Sequence, residues 1–135
     1  MLGNTAKLAT LAILALTVAG SGQQDHRAKP NIAVIYIGAE DCAPCLVWRR
    51  DHWPRFAGSP DFSHLAYREV MSPKLFDLLE DSYWPEDLRQ YRNRFDQSSG
   101  VPLWYIVVNG EVALTARGLR EWEEAAIPKI KSFVR

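Results

Sequence analysis

Hydrophobic residues gather in short runs along the chain, and turn-forming residues separate the runs. Residues 32–37 are apolar and rich in β-branched side chains, a composition typical of a strand buried on both faces of a sheet. Residues 38–41 interrupt this run, and residues 42–56 carry helix-compatible side chains. We therefore predict a central strand followed by a helix, with Cys42 and Cys45 at the turn between them.

Prolines and a glycine set the expected limits of this first helix. Pro44 would occupy the first helical turn, where the missing N–H leaves no hydrogen bond unmade. Proline inside a helix removes a hydrogen bond and clashes with the preceding turn. We therefore expect Pro54 and the Gly-Ser-Pro sequence at residues 58–60 to end the helix.

A second strand and a helical insertion follow. Residues 62–71 contain an alternating segment that predicts a strand parallel to the first through the intervening helix. Residues 74–95, here called the insertion, space their apolar side chains as a helix does. Pro85 and the two acidic residues after it predict that a separate helix starts there.

A β-hairpin is predicted near the C-terminus. Two β-rich runs, at residues 101–108 and 111–114, flank an Asn-Gly pair, which is the strongest short-range signal for a hairpin. Residues 121–134 carry the apolar face of a closing helix, which Pro128 is expected to bend or shorten. The predicted order is strand, helix, strand, helices, antiparallel hairpin and helix.

The first thirty residues have the pattern of a targeting segment. Lys7 precedes an apolar run at residues 8–19, and small residues follow it. The run is shorter than the roughly 20 residues that cross a bilayer, so no stable membrane insertion is expected after processing. We predict a signal peptide or N-terminal anchor over residues 1–22, a polar lead-in over residues 23–30, and one domain over residues 31–135. The protein is therefore expected to be exported to the periplasm or cell envelope.

Composition narrows the classes of function. A chain of 135 residues that is 47% hydrophobic suits one compact domain. Sixteen basic and sixteen acidic residues give a formal net charge of zero, so no overall field attracts phosphate backbones. Nucleic acid is therefore not expected as a partner.

Cys42 and Cys45, here called the cysteine pair, are the only cysteines of the chain. A disulfide between them closes a very short loop and constrains the unfolded chain little. Stabilisation of the fold is therefore a poor explanation for the two cysteines. The positive end of a helix favours a thiolate at Cys42, and thiolate is the attacking species in disulfide exchange. We expect Cys42 to form a mixed disulfide and Cys45 to resolve it, with this redox-active disulfide and no further cofactor.

Metal binding is an alternative use of the cysteine pair. Two thiolates fall short of the four ligands of a structural zinc site, and His52 and His64 are the histidines of the predicted domain. His52 lies about two helical turns beyond Cys45, which is too far for one shared site, so no metal site is predicted. The alternative function is a non-catalytic binding module or a metal-delivery protein, for example for copper.

Three stretches together resemble a known family. Residues 35–45, the Gly-Val-Pro sequence at residues 100–102 and residues 107–112, followed by Gly118, are similar in order and spacing to the thioredoxin superfamily. The resemblance covers roughly residues 31–135. It implies an α/β thioredoxin-like fold, with a central mixed sheet of about four strands, flanking helices and a helical insertion before a cis-proline hairpin.

The resemblance also implies roles for particular residues. Pro102 is expected to be cis and to act beside the cysteine pair, and Val101 to present its backbone to a bound substrate chain. Ala43 and Pro44 complete the expected substrate-binding surface. The implied activity is that of a thiol–disulfide oxidoreductase acting on protein thiols and disulfides. The Ala-Pro dipeptide resembles reducing thioredoxins, which implies a reductant recharged by a membrane electron donor.

Two positions depart from the family pattern. Asp41 stands where the family has an aromatic residue, and Tyr36 stands where it has a buried acid. A carboxylate next to Cys42 disfavours the thiolate, whereas Glu40 or Asp41 would aid proton transfer to Cys45. We therefore predict that Asp41, Glu40 and Tyr36 modulate the thiol pKa.

The insertion is rich in aromatic residues. Phe76, Tyr83, Trp84 and Tyr91 lie within it. Exposed aromatic side chains are frequent anchors of protein contacts, so these rings would select partners at the cysteine pair. The alternative is that they fill a local core.

Overall fold

The structure is a computed structural model that describes residues 28–135, so the predicted signal peptide lies outside the described residues. Within these residues, four strands form one mixed sheet in the order β2-β1-β3-β4. β1 pairs parallel with β2 and antiparallel with β3, and β3 pairs antiparallel with β4. The strands are β1 (Ile32–Ala39), β2 (Ala66–Ser72), β3 (Leu103–Val108) and β4 (Glu111–Arg117).

In the described part of the chain, two long helical segments and four 3₁₀ helices surround the sheet. The first long segment comprises α1 (Ala43–Val47), a π-helical turn (Trp48–His52) and α2 (Trp53–Ala57). The second comprises α3 (Gly118–Glu121), a π-helical turn (Trp122–Ala126) and α4 (Ile127–Val134). The 3₁₀ helices are Pro60–His64, Leu75–Leu79, Asp81–Tyr83 and Glu86–Arg94. Between residues 28 and 135, no helix has both the length and the apolar character needed to cross a bilayer.

The predicted fold class is confirmed: a mixed four-stranded sheet carries flanking helices and a helical insertion before the hairpin. The Asn-Gly hairpin forms as predicted, with Asn109 at φ 51° and Gly110 at φ 87°, the left-handed values that a tight two-residue turn requires. The insertion is helical as predicted, but its helices, of three to nine residues, are of the 3₁₀ type.

The first helix ends at Ala57, directly before the Gly-Ser-Pro sequence at residues 58–60, as predicted, but the expectation that Pro54 contributes to its end is wrong. The helical segment continues past Pro54, and the segment that contains Pro128 is not shortened and continues to Val134. In both cases a π-helical turn directly precedes the proline-containing α-helix. A π-helical turn widens the helix, which moves the preceding carbonyl away from the proline ring that would clash with it. Each helix therefore passes a proline without ending.

Each face of the sheet covers a separate hydrophobic cluster, because successive side chains of a strand point to opposite faces. The first cluster, here called the cysteine-side cluster, contains the cysteine pair, Ile35 and Ile37. The second, here called the tryptophan-side cluster, contains Trp48, Trp104 and Trp122, together with Val34 and Tyr36 of β1. The cysteine pair therefore lies on one particular side of the sheet.

Candidate active site

The end of β1 places the cysteine pair at one edge of the sheet. Ala39, the last residue of β1, pairs with Ser72, the last residue of β2. The Glu40 N–H then donates a hydrogen bond of 2.9 Å to the Ser72 carbonyl, which holds the start of the turn. Because the carboxyl ends of these two parallel strands meet here, the residues after both strands are neighbours.

The loop before β3 reaches the same edge. Leu103, the first residue of β3, pairs with Ile37 near the end of β1. Pro102 directly precedes Leu103 and is buried, and the peptide bond between Val101 and Pro102 is cis. The Pro102 carbonyl accepts a hydrogen bond of 2.9 Å from the Gly118 N–H. The pairing of Leu103 with β1 and the hydrogen bond from Gly118 therefore hold Pro102 beside the turn that carries the cysteine pair.

The two cysteines occupy unequal positions. Cys42 is the N-cap of α1, with an extended backbone, and forms a disulfide with Cys45 at a Cα–Cα distance of 5.2 Å. Cys42 is 9% exposed, whereas Cys45 is fully buried. Pro44 lies in the first helical turn as predicted, where it removes no helical hydrogen bond. A partner's thiolate or disulfide would therefore react with the Cys42 sulfur and not with the Cys45 sulfur.

Backbone groups surround the Cys42 sulfur. The Cys45 N–H donates to Cys42 Sγ over 3.1 Å in a buried setting. Cys42 Sγ also lies 3.5 Å from the Val101 carbonyl oxygen, a contact that becomes a hydrogen bond when reduction gives the sulfur a proton. Ala43 and Pro44 are exposed next to it. The structure thus brings together the residues that the sequence assigned to catalysis and substrate binding.

The carboxylate of Asp41 binds the insertion. Asp41 is exposed, and its Oδ1 accepts a hydrogen bond of 3.0 Å from the Leu75 N–H. Glu40 is also exposed. Sequence reasoning missed the contact with Leu75, because its two partners are 34 residues apart and no local pattern links them. Asp41 is therefore placed to hold the insertion as well as to lie next to Cys42.

Tyr36 belongs to the tryptophan-side cluster and so faces away from the cysteine-side cluster. It is fully buried, with its ring centroid 5.7 Å from those of both Trp48 and Trp104. Burial raises the pKa of Tyr36 above its ordinary value, and the positive charge of Arg49 offsets part of this. Among residues 28–135, the Tyr36 hydroxyl finds no hydrogen-bond partner. The residue that replaces the family's buried acid is thus an isolated neutral phenol.

The histidine nearest the cysteine pair in sequence is engaged elsewhere. His52 Nδ1 lies 2.7 Å from Glu123 Oε1, and its ring stacks on Trp48 at a centroid distance of 6.1 Å. Within the described part of the chain, no three His, Cys, Asp or Glu side chains form a group that would hold a metal ion.

The structure separates the aromatic residues of the insertion into two groups. Trp84 is buried and donates from Nε1 to the Leu78 carbonyl over 2.9 Å. Tyr91 is buried and donates to the Gly110 carbonyl over 3.1 Å. Tyr83 is partly buried against the cysteine-side cluster, to which Trp84 and Tyr91 belong, whereas Phe76 is 69% exposed. Tyr83, Trp84 and Tyr91 therefore fill a local core, and Phe76 remains at the surface.

Comparisons with known proteins add evidence about the fold. No protein-family model and no curated protein matches this sequence. The crystal structure of a thioredoxin from Malassezia sympodialis, Mala s 13, is similar with a TM-score of 0.53 at 13% identity, covering 78% of this chain and 76% of that chain. The crystal structure of Trxlp from Edwardsiella tarda EIB202 matches with a TM-score of 0.47 at 18% identity, covering 78% of this chain and 84% of that chain. The mixed sheet, the cysteine pair at the end of β1 and the likeness to Mala s 13 together show that this protein has the thioredoxin-like fold.

Proposed function

We propose that this protein is a thiol–disulfide oxidoreductase of the cell envelope, which exchanges electrons with protein thiols and disulfides through Cys42 and Cys45. The observation that carries the proposal is the asymmetry of the cysteine pair. Cys42 keeps 9% of its surface exposed and its sulfur accepts a backbone N–H, while Cys45 is fully buried. A disulfide that merely stapled the chain would need neither feature.

The hydrogen bond on Cys42 supports its role as the attacking group. In the reduced protein, the Cys45 N–H that points at Cys42 Sγ would stabilise a negative sulfur. The positive end of the helical segment that begins at Ala43 acts in the same direction. Both effects lower the thiol pKa of Cys42 and raise the fraction of thiolate.

The exchange proceeds in two steps that balance. The Cys42 thiolate attacks one sulfur of the partner's disulfide, a mixed disulfide forms, and the other partner sulfur leaves as a thiolate that takes up a proton. The Cys45 thiol then loses its proton and attacks Cys42 Sγ, which releases the second partner sulfur as a thiolate that is protonated in turn. The partner gains two electrons and two protons, and the protein ends with the Cys42–Cys45 disulfide.

We further propose that the protein works as a reductant after export. The Ala-Pro dipeptide between the cysteines and the apolar run at residues 8–19 support this proposal. In an oxidising compartment, a reductant needs a source of electrons, and a membrane electron donor would supply them. The reduction potential tests the direction. A value near about −270 mV supports a reductant, and a value near about −120 mV contradicts this part of the proposal.

A trapping experiment tests the exchange itself. The Cys45→Ser variant of the full chain, expressed in a bacterial envelope, lacks the resolving sulfur and should accumulate mixed disulfides through Cys42. These are detected by non-reducing electrophoresis and mass spectrometry. The Cys42→Ser/Cys45→Ser variant is the matched control and should trap nothing. If Cys45→Ser also traps no partner, or if the wild-type disulfide resists mild reduction, the cysteine pair is a fixed bridge and the proposal fails.

A further inference from the structure

Two large apolar side chains are exposed among residues 28–135. They are Leu46, which is 57% exposed, and Phe76, which is 69% exposed. Leu46 directly follows Cys45 in the chain. Phe76 directly follows Leu75, whose N–H is bound by the carboxylate of Asp41, the residue before Cys42. Both exposed apolar side chains are therefore carried by backbone that is linked to the turn holding the cysteine pair, and we call them the apolar flank.

Phe76 is exposed although the backbone that carries it is well held. Its 3₁₀ helix, Leu75–Leu79, begins with a reciprocal pair of bonds between Lys74 and Asp77, of 3.2 Å and 3.1 Å. Leu78 of the same helix is fully buried, and Leu75 packs against the cysteine-side cluster. The Phe76 ring is therefore carried by a backbone segment that is already held in place, which reduces the entropy lost when the ring binds a partner.

Asp41 connects the 3₁₀ helix Leu75–Leu79 to the turn that carries the cysteine pair. Its Oδ1 accepts the Leu75 N–H over 3.0 Å, so one side chain joins the turn before Cys42 to the residue before Phe76. The position of the Phe76 ring relative to the Cys42 sulfur depends on that bond. Asp41 is thus a positioning residue for Phe76.

The geometry of disulfide exchange indicates which part of a partner protein would contact the apolar flank. A partner's sulfur must reach bonding distance of Cys42 Sγ, and an extended chain advances about 3.3 Å per residue. Residues within a few positions of the partner's cysteine therefore pass over the surface next to Cys42. On this protein, the segments that carry Leu46 and Phe76 are joined to the turn around Cys42, the first through the chain and the second through the bond between Asp41 and Leu75.

We propose that the apolar flank is a specificity determinant, which binds apolar or aromatic side chains on either side of the reacting cysteine in an extended partner segment. This inference rests on the proposed function and names its class of substrate. Aromatic residues at the centre of contacts supply much of the binding energy, and Phe76 is the one Phe, Tyr or Trp side chain among residues 28–135 that is largely exposed. Asp41 acts through Phe76 by holding it in place.

The test compares two synthetic disulfide-linked peptides. One carries Phe and Leu at the positions flanking its cysteine, and the other carries Ser at the same positions. The measured quantity is the ratio of kcat/KM for the apolar peptide to that for the Ser peptide. Effects on the potential or pKa of the cysteine pair cancel in this ratio. Wild-type protein should favour the apolar peptide by about tenfold or more, mainly through a lower KM.

The variants Phe76→Ala and Leu46→Ala should each lower the ratio, Phe76→Ala by about fivefold to tenfold. Phe76→Leu, which keeps an apolar side chain, is the matched control and should retain most of the preference. For Asp41, Asp41→Asn keeps an oxygen acceptor for the Leu75 N–H, whereas Asp41→Ala removes it. The ratio should therefore fall in Asp41→Ala and be retained in Asp41→Asn. Equal falls in both would refute the positioning role.

Several outcomes separate this inference from the proposed function. Hydroxyethyl disulfide, which has no flanking side chains, reports on turnover by the wild-type cysteine pair alone. If it is not reduced, the proposed function fails, and the inference with it. If it is reduced but the wild-type ratio is near one, or Phe76→Ala leaves the ratio unchanged, the inference alone is overturned. It is also overturned if sedimentation shows a wild-type dimer that Phe76→Ala converts to a monomer, because the flank would then join two copies of this chain.

Discussion

Removal of the Tyr36 hydroxyl should make the protein more stable. The Tyr36 side chain is fully buried between the rings of Trp48 and Trp104, and within the described residues its hydroxyl has no hydrogen-bond partner. Folding therefore takes this hydroxyl out of water without a replacement bond. Tyr36→Phe keeps the ring and its packing and deletes the hydroxyl alone.

The expected gain is worked from two opposing effects. A buried hydroxyl without a partner destabilises the folded state by about 1–3 kcal/mol. The cavity left by one oxygen atom, on the order of 15 Å³, costs about 0.4 kcal/mol at about 24 cal/mol per Å³. The net gain in the free energy of unfolding is therefore about 0.6–2.6 kcal/mol. For a domain of this size, each kcal/mol raises Tm by about 4 °C.

Urea unfolding of the oxidised protein, followed by tryptophan fluorescence, measures this gain. Tyr91→Phe is the matched control, because the Tyr91 hydroxyl does have a partner and donates to the Gly110 carbonyl over 3.1 Å. That variant should lose about 1 kcal/mol of stability. A loss of stability in Tyr36→Phe of similar size would refute the reasoning, since it would mean that the Tyr36 hydroxyl is hydrogen-bonded.

The same variant tests whether Tyr36 influences the cysteine pair. Tyr36 lies in the cluster on the opposite face of the sheet from Cys42 and Cys45. The gain in stability should therefore be equal in the oxidised and reduced protein. By a thermodynamic cycle, a difference of 1.4 kcal/mol between the two states would change the potential by about 30 mV. A shift of that size in Tyr36→Phe would show that the phenol modulates the thiols despite its position.

Two further predictions concern charge and proton binding. Asp41→Asn should lower the thiol pKa of Cys42, because it removes a negative charge from the neighbouring residue, and an unchanged curve of alkylation rate against pH would contradict this. At alkaline pH the protein should lose stability, because burial raises the pKa of Tyr105 to about 12 and also raises that of Tyr36. Above about pH 10 the unfolded chain releases protons that the folded protein keeps, so stability falls by about 1.4 kcal/mol per pH unit for each such tyrosine up to its folded pKa. Urea unfolding between pH 9 and about pH 12 measures the slope of unfolding free energy against pH, which should be smaller in Tyr36→Phe than in the wild-type protein. Equal slopes would contradict the raised pKa of Tyr36.

Local patterns predicted the elements around the cysteine pair. The buried run of β1 and the turn before Cys42 depend on neighbouring residues, and so does the Asn109-Gly110 hairpin, whose φ values of 51° and 87° few other residue pairs tolerate. The parallel pairing of β1 with β2 and the antiparallel pairing of β3 with β4 also followed, because a parallel pair needs a crossover connection and an antiparallel pair can be joined by a short turn. The place of Pro102 beside the cysteine pair was expected from the resemblance to the thioredoxin superfamily.

Long-range packing decided the features that sequence reasoning missed. Pro54 and Pro128 were expected to disturb their helices, but a π-helical turn precedes each of them. Trp48 and Trp122 begin these two turns and pack edge-to-face, with ring centroids 4.5 Å apart. The contact between them joins residues far apart in the chain, so no local propensity indicates it.

The sequence by itself determined the strands, the hairpin, the place of the cysteine pair at a strand-to-helix turn and the chemistry that two close thiols permit. Those features depend on backbone preferences and spacing over a few residues. Only the tertiary structure decided that Tyr36 faces away from the cysteines, that Asp41 holds Leu75 and that Phe76 alone of the insertion's aromatic rings is exposed. These features depend on which distant segments pack together, because burial and hydrogen-bond partners are properties of the whole fold.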